Sequence, residues 1–257
     1  MKNNNYQNAI AVYDLLYLIN KAYTENNDVL IAKNLLENRY DLDRYSLDKL
    51  SEKTFFSQSS LSRFIKKIGY QNYNDFKNNI IRSNWMIEKN NQTIKNREYS
   101  VIVDDIHKKI SDCINNIYNL DHQHLKRIIE KLKSANTIYF MGSELSMAMT
   151  HLLQMALISI GKEAYAIFDY HYQKEILTKL EDDSLLVVIS IQQRAYSHIK
   201  DFLVDNKMYK MLWTIDDDHD GLKYFDDYFV FGKEADDNLG YNELMYFILL
   251  VYNLVLN

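Results

Sequence analysis

Apolar residues recur along this chain with two different periods, and the change of period divides it. Over 6–87 they follow helical spacing. Ile10, Tyr13 and Leu16, with Leu15, Leu18 and Ile19, give a broad apolar face over 6–23, and 29–38 continues in the same way. Leu47 and Leu50 at i, i+3 fit a short helix. Leu61, Phe64, Ile65 and Ile68 at i, i+3, i+4 and i+7 put a second apolar stripe just beyond a tight polar turn around Phe55 and Phe56. A further helix is expected over 73–87, led by Asn72 or Asn74 as cap. The segment 88–102 opens EKNNQTIKNREYS, polar and without apolar periodicity, and reads as a linker.

From 103 onward helical patterns (103–118, 122–133, 145–160, 172–180, 197–206) alternate with short apolar runs at 137–141, 185–190, 211–215 and 228–231. That alternation implies a parallel sheet with helices on both faces and ligands at the carboxyl ends of its strands. The expected fold class is an all-α helix-turn-helix N-terminal domain over 1–87 followed by a doubly wound α/β domain over 103–257. The last apolar run, 245–256, is shorter than the ~20 residues of a membrane span and contains Asn253, so it reads as a buried helix. Leu244, Phe247, Ile248, Val251 and Val255 recur within 241–256 at helical spacing and are expected to serve core and dimer interface together.

Composition narrows the class. The 257 residues are 47% hydrophobic, enough to fill the cores of two domains. Cys113 is the single cysteine, which excludes an internal disulfide and a cysteine zinc site and fits a reducing cytoplasm. The N-terminal MKNNNYQ lacks an apolar signal core. There is no proline. Cytoplasmic localisation is expected, with no membrane association.

Charge distinguishes one segment. Residues 49–82 carry seven basic side chains against Glu52 and Asp75, a net +5, and the whole chain is −5, so the remainder sums to −10. A positive patch on an acidic protein points to a polyanion at that patch. On the helix after the turn, the face away from the apolar stripe carries Gln58, Ser59, Ser62, Arg63 and Lys66, with Lys67 beside them. Short hydrogen-bonding groups at the start and basic ones behind is the order a recognition helix needs to meet base edges and flanking phosphates. Ser57 is placed to cap this helix and Gly69 to stop it in the left-handed conformation. A plain helical hairpin with solvated lysines has the same periodicity.

The match of particular positions goes further. Ile31-Ala32, Leu35-Leu36, Leu47, Leu50, Ser57, Ser60, Arg63-Phe64, Lys67-Ile68-Gly69, Tyr73 and Phe76-Lys77 resemble the N-terminal helix-turn-helix of the RpiR family of bacterial transcriptional regulators. Ser60, Ile68 and Tyr73 stand where that pattern has Thr, Leu and Phe. Over 103–257 the chain is similar to the sugar isomerase (SIS) domain that accompanies this motif: Tyr139-Phe140-Met141-Gly142-Ser143 with Ser146 matches the first strand and its turn. Asp169-x-His171-x-Gln173 matches a short motif after the second strand, and Leu185–Ser190 the strand leading to the second ligand loop. The resemblance implies a regulator without catalytic activity that binds a double-stranded DNA operator, forms a homodimer or higher homo-oligomer, and takes a phosphosugar or related carbohydrate.

The first loop suits an anion, with Gly142 for a tight turn, hydroxyls from Ser143 and Ser146, and a helix N-terminus behind them. Glu144 in the same turn opposes one. The second loop departs from the S-x-S-G-x-T of sugar-phosphate binders: Ser190-Ile191-Gln192-Gln193-Arg194-Ala195 keeps only the first serine. Two readings stay open: Arg194 supplies a guanidinium fork for the anion, or Gln192 and Gln193 fill the pocket and the domain only dimerises. Expected effector contacts are Gly142, Ser143, Glu144, Ser146, His171, Ser190, Gln192, Gln193 and Arg194. Isomerase chemistry needs a general base. His151, Glu163, His171, Glu175 and His198 are available, but none lies in a pattern tied to chemistry, so no catalytic residue, metal or cofactor is expected. The alternative is a sugar-phosphate isomerase with a helical extension.

Overall fold

The computed structural model describes residues 11–22, 24–118, 120–168, 170–191, 194–215, 219–231 and 239–257. At positions 86, 90, 93, 94, 116, 118, 144, 170, 171, 194–198, 205, 219, 220 and 239 it describes the backbone alone. Two units emerge, Met1–Glu98 and Tyr99–Asn257.

The first unit is helical: α1 (Ala11–Lys21), α2 (Asn27–Glu37), a short 3-10 turn (Leu42–Arg44), α3 (Leu47–Thr54), α4 (Gln58–Lys67) and α5 (Tyr73–Ile94). Local chemistry sets the boundaries. Asn26, Ser46, Ser57 and Asn72 each cap the following helix by accepting a backbone N–H with an extended backbone of their own. Behind α4 the chain turns at Gly69 (φ +98), whose N–H donates to Lys66 while that of Tyr70 donates to Ile65, as a left-handed stop requires. The apolar stripes converge on one core containing Leu15, Leu35, Leu50, Leu61, Phe64, Ile65 and Phe76.

The segment 88–102, expected as a linker, is mostly helix. α5 runs on to Ile94 and α6 begins at Tyr99, leaving 95–98 between them. The described residues of this stretch are largely exposed, so the helix extends by its own backbone bonds without an apolar face to mark it.

The second unit contains α6 (Tyr99–Tyr118), α7 (His122–Ser134), β1 (Thr137–Gly142), α8 (Glu144–Ser159), β2 (Glu163–Ile167), α9 (Tyr170–Leu177), β3 (Leu185–Ser190), α10 (Arg194–Asp205), β4 (Tyr209–Thr214), α11 (His219–Leu222), β5 (Asp227–Val230) and α12 (Leu239–Leu256). The five strands are all parallel in the order β2-β1-β3-β4-β5. β3 sits in the middle, and every one of its residues, LLVVIS, is buried, as a strand covered on both faces must be. Alternate side chains feed two cores. Ile138, Phe140, Val187, Ile189 and Trp213 join Leu157, Leu132 and Phe247 on one face; Met141, Leu186, Val188 and Leu212 join Leu177, Ile199 and Leu203 on the other. This is the doubly wound α/β fold expected.

Leu244, Phe247, Ile248, Val251 and Val255 of α12 are all fully buried within this unit, so they are core and have no surface left for an interface. The exposed apolar residues of α12 are Met245, Tyr246, Leu249 and Leu256. No helix among the described residues is long and apolar enough to cross a membrane.

Candidate functional site

Two places carry the chemistry anticipated from the sequence. The first is α4. Leu61, Phe64 and Ile65 are buried against the helical core, and Ser57, Gln58, Ser59, Arg63, Lys66 and Lys67 are exposed, with Ser62 half-buried. The Ser57 hydroxyl is engaged locally: it accepts from Ser60 N at 3.2 Å and lies 2.9 Å from the hydroxyls of both Ser59 and Ser60. Lys67 is ion-paired to Asp28 of α2, an exposed contact between the two helices. Lys77 is turned inward in part, donating to the Tyr45 carbonyl at 3.1 Å beside the Tyr73 hydroxyl at 3.0 Å. Burial pushes the Tyr73 phenol up to about 12. Arg63 and Lys66 make no ion pair or hydrogen bond among the described residues. They and Gln58 form the accessible polar edge of the helix. α3 packs on α4 across the turn, whose Phe56 carbonyl accepts from Ser51 Oγ at 2.6 Å.

The second place is the carboxyl end of the sheet, where β1 is flanked by β2 and β3 and the chain order reverses. β1 and β3 are in register as Gly142↔Ile189, so the turn after β1 and Ser190 at the end of β3 are neighbours. Gly142 is required sterically: a Cβ there would stand 2.6 Å from the Ile189 carbonyl oxygen and 3.1 Å from Met147 Cε. Ser143 caps α8; its hydroxyl accepts from Ser146 N at 3.4 Å and lies 2.9 Å from Ser146 Oγ. It also lies 3.3 Å from the hydroxyl of Tyr241, from the first turn of α12. Ser190 is buried; its carbonyl accepts from Thr214 Oγ1 at 2.8 Å and its hydroxyl has no hydrogen-bond partner among the described residues. Gln173 of α9 is fully buried and spends its amide N–H groups on two strand ends, Gly142 O at 2.9 Å and Ile167 O at 2.6 Å. Its Oε1 has no partner among the described residues. The described part of this site is neutral and rich in hydroxyl and amide groups.

The structure thus gathers Gly142, Ser143, Ser146 and Ser190 as expected. Glu144, His171 and Arg194 are described by backbone alone, the first at the start of α8, the second in α9 and the third at the start of α10. Gln192 and Gln193 lie outside the described residues, so the choice between a replacement guanidinium and a plugged pocket is open. Tyr241, Thr214 and the clamping role of Gln173 were not read from the sequence. Gln173 was visible as a motif position, whereas no local pattern marks Tyr241, which meets Ser143 across 98 residues. Of the groups considered as bases, His151 is exposed and bonded to Gln154, Glu175 is ion-paired to Lys179, and Glu163 begins β2 at the opposite end of the sheet. The side chain of His198, like that of His171, lies outside the description.

No family model matches the chain. A helix-turn-helix transcriptional regulator of Thermotoga maritima, itself uncharacterised, is 27% identical over 191 residues, 69% of this chain; the match spans 66% of that relative, just under two thirds of its length. The solved NanR protein of Vibrio vulnificus, complexed with ManNAc-6P, aligns over 96% of this chain and 91% of its own with a TM-score of 0.52 and 16% identity. The sugar isomerase domain of an RpiR transcription factor from Sphaerobacter thermophilus aligns over 62% of this chain and 90% of its own, with a TM-score of 0.51 and 15% identity. In sequence the chain is similar to a helix-turn-helix transcriptional regulator; in fold it matches NanR over nearly its whole length and, over 62% of its length, the sugar isomerase domain of an RpiR transcription factor.

Proposed function

We propose that this protein is a DNA-binding transcriptional regulator of carbohydrate metabolism, acting in the cytoplasm as a homodimer, without catalytic turnover. Helix α4 reads a double-stranded operator, and the carboxyl end of the sheet takes a phosphosugar or related carbohydrate. The observation that carries the reading is the division of α4 into a buried Leu61-Phe64-Ile65 face and an exposed Gln58-Arg63-Lys66 edge, within a segment of net positive charge. That edge has the order of groups a major-groove helix uses. The similarity to a transcriptional regulator supports it, and the solved NanR complex supports a phosphosugar as effector. A single such helix reads few base pairs, and pairing across two half-sites supplies the rest. The exposed apolar residues of α6 (Ile106, Ile110, Ile114) and α12 (Met245, Tyr246, Leu249) are surfaces on which copies can meet.

The test is a gel-shift titration of the full chain on a duplex selected from a random library. Arg63→Ala is expected to weaken the selected duplex by about tenfold or more and to relax its sequence preference, the worth of a base contact. Lys66→Ala is expected to weaken selected and random duplexes equally and to flatten the salt dependence. Unchanged affinity for both variants, with the fold intact by circular dichroism, overturns the reading of α4. For the effector, a panel of phosphosugars is expected to raise the melting temperature, since a ligand of the folded state stabilises it. No shift across the panel overturns that half.

A further inference from the structure

Phe55 is the most exposed large apolar residue among those described, at 95%, and its backbone is left-handed (φ 59, ψ 17). Either feature is unusual for phenylalanine, and together they are hard to attribute to folding. A bulky side chain in the left-handed region is strained, and glycine would take the same turn without strain. The ring adds no packing in return. The turn is held by other groups: Thr54 Oγ1 donates to the Leu50 carbonyl at 2.8 Å and Ser51 Oγ to that of Phe56 at 2.6 Å. Residues kept in a costly conformation despite an easy remedy cluster at functional sites.

Its position suggests the function. Phe55 lies two residues before Ser57, the cap of α4, and three before Gln58, the first residue of the edge assigned above to base reading. Its surroundings are polar: Glu52, Lys53, Ser57 and Gln58 are all exposed. A protein partner would ask for a contiguous apolar patch at the core of its interface, and one ring in a polar field does not supply it. The major groove of DNA offers the complementary object, a single apolar group on a polar surface, in the C5 methyl of thymine. The positive charge of the segment brings a duplex to this side of the unit.

We propose that Phe55 is a base-reading residue whose ring packs on a thymine methyl beside the bases met by the first turn of α4. The inference rests on the assignment of α4 as the DNA-reading helix and adds a specificity determinant to it. It accounts for a phenylalanine where the backbone favours glycine.

The experiment uses the full chain and its selected duplex, with thymines replaced one at a time by deoxyuridine, which removes only the methyl. Wild-type protein is expected to lose about fourfold in affinity at one thymine per half-site, the worth of one buried methyl group. Phe55→Gly keeps the left-handed turn, so it is expected to fold with an equal or higher melting temperature. It should bind the unmodified duplex at least about fivefold more weakly and be indifferent to uracil at that same position. Equal binding by Phe55→Gly, or full retention of the uracil effect in that variant, overturns the inference and leaves the reading of α4 standing. A wild-type chain that selects no duplex at all overturns both.

Discussion

Replacing Gln173 by methionine is the sharpest probe of how the effector end of the sheet is held. The two side chains are nearly the same length, so no large cavity opens, and the change isolates the amide. Two donated bonds are lost, to Gly142 O and Ile167 O, and both carbonyls sit at buried strand ends. Leaving a buried acceptor short costs about 1–3 kcal/mol each, and removing Oε1, which has no partner among the described residues, returns about one such amount. The net loss is about 1–3 kcal/mol, and at roughly 2–4 °C per kcal/mol for a unit of this length the melting temperature falls by about 2–12 °C. Differential scanning calorimetry of the full chain reads the shift, with circular dichroism confirming the fold. Gln173→Glu adds a pH signature. A carboxyl buried against two carbonyls has its pKa raised in the folded state. Its contribution is therefore intact below the unfolded value of about 4.3 and is lost as pH rises through the folded value. That variant should fall further behind wild type with rising pH, and Gln173→Met should not. A melting temperature for Gln173→Met within about 1 °C of wild type would refute the clamp, because a shift that small is worth well under 1 kcal/mol.

Two further outcomes follow from close packing and from burial. Gly142→Ala places a methyl 2.6 Å from a backbone oxygen that cannot swing aside, so it should cost about 1–3 kcal/mol in a thermal melt and also abolish any phosphosugar-induced shift. Burial, with Glu243 and Asp112 nearby, pushes the Cys113 thiol up to about 11 from an ordinary value of 9.0. The stability that comes from keeping the thiol neutral is present below pH 9 and lost as pH rises towards 11, so Cys113→Ala should flatten the alkaline decline in melting temperature; an unchanged decline would count against the buried thiol.

What the sequence disclosed tracks how local the cause is. The cap at Ser57, the stop at Gly69 and the stripe of α4 depend on residues within a turn or two of each other, and all three were legible. β3 was legible for a different reason, since burial on both faces leaves an unbroken apolar run. β2 escaped notice as a run because it lies at the sheet edge and pairs only with β1, so its EAYAI alternates between exposed and buried. The polar end of α5 was not legible as helix because an exposed helix without an apolar face leaves no periodic trace, although the boundary between the two units, Glu98 to Tyr99, falls within that segment. At the sheet end, Ser143 and Ser190 were found from motif and strand, while the approach of Tyr241 depends on the packing of α12 against α8, which no local pattern encodes.

The strand order sets a timetable. In the helical unit α1 packs on α2 and α3 on α4, neighbours in sequence, and such contacts close quickly. β1 has no complete set of partners until both β2 and β3 exist, and β4 and β5 must then add in turn, which makes the sheet intrinsically slow to assemble. Synthesis runs from the N-terminus at about 5–20 residues per second, so the helical unit is out of the ribosome on the order of ten seconds before the last strand. On the proposed assignment, each newly made molecule acquires the part that reads DNA before the part that senses a metabolite. A chain cut short within the sheet would be a reader without a sensor.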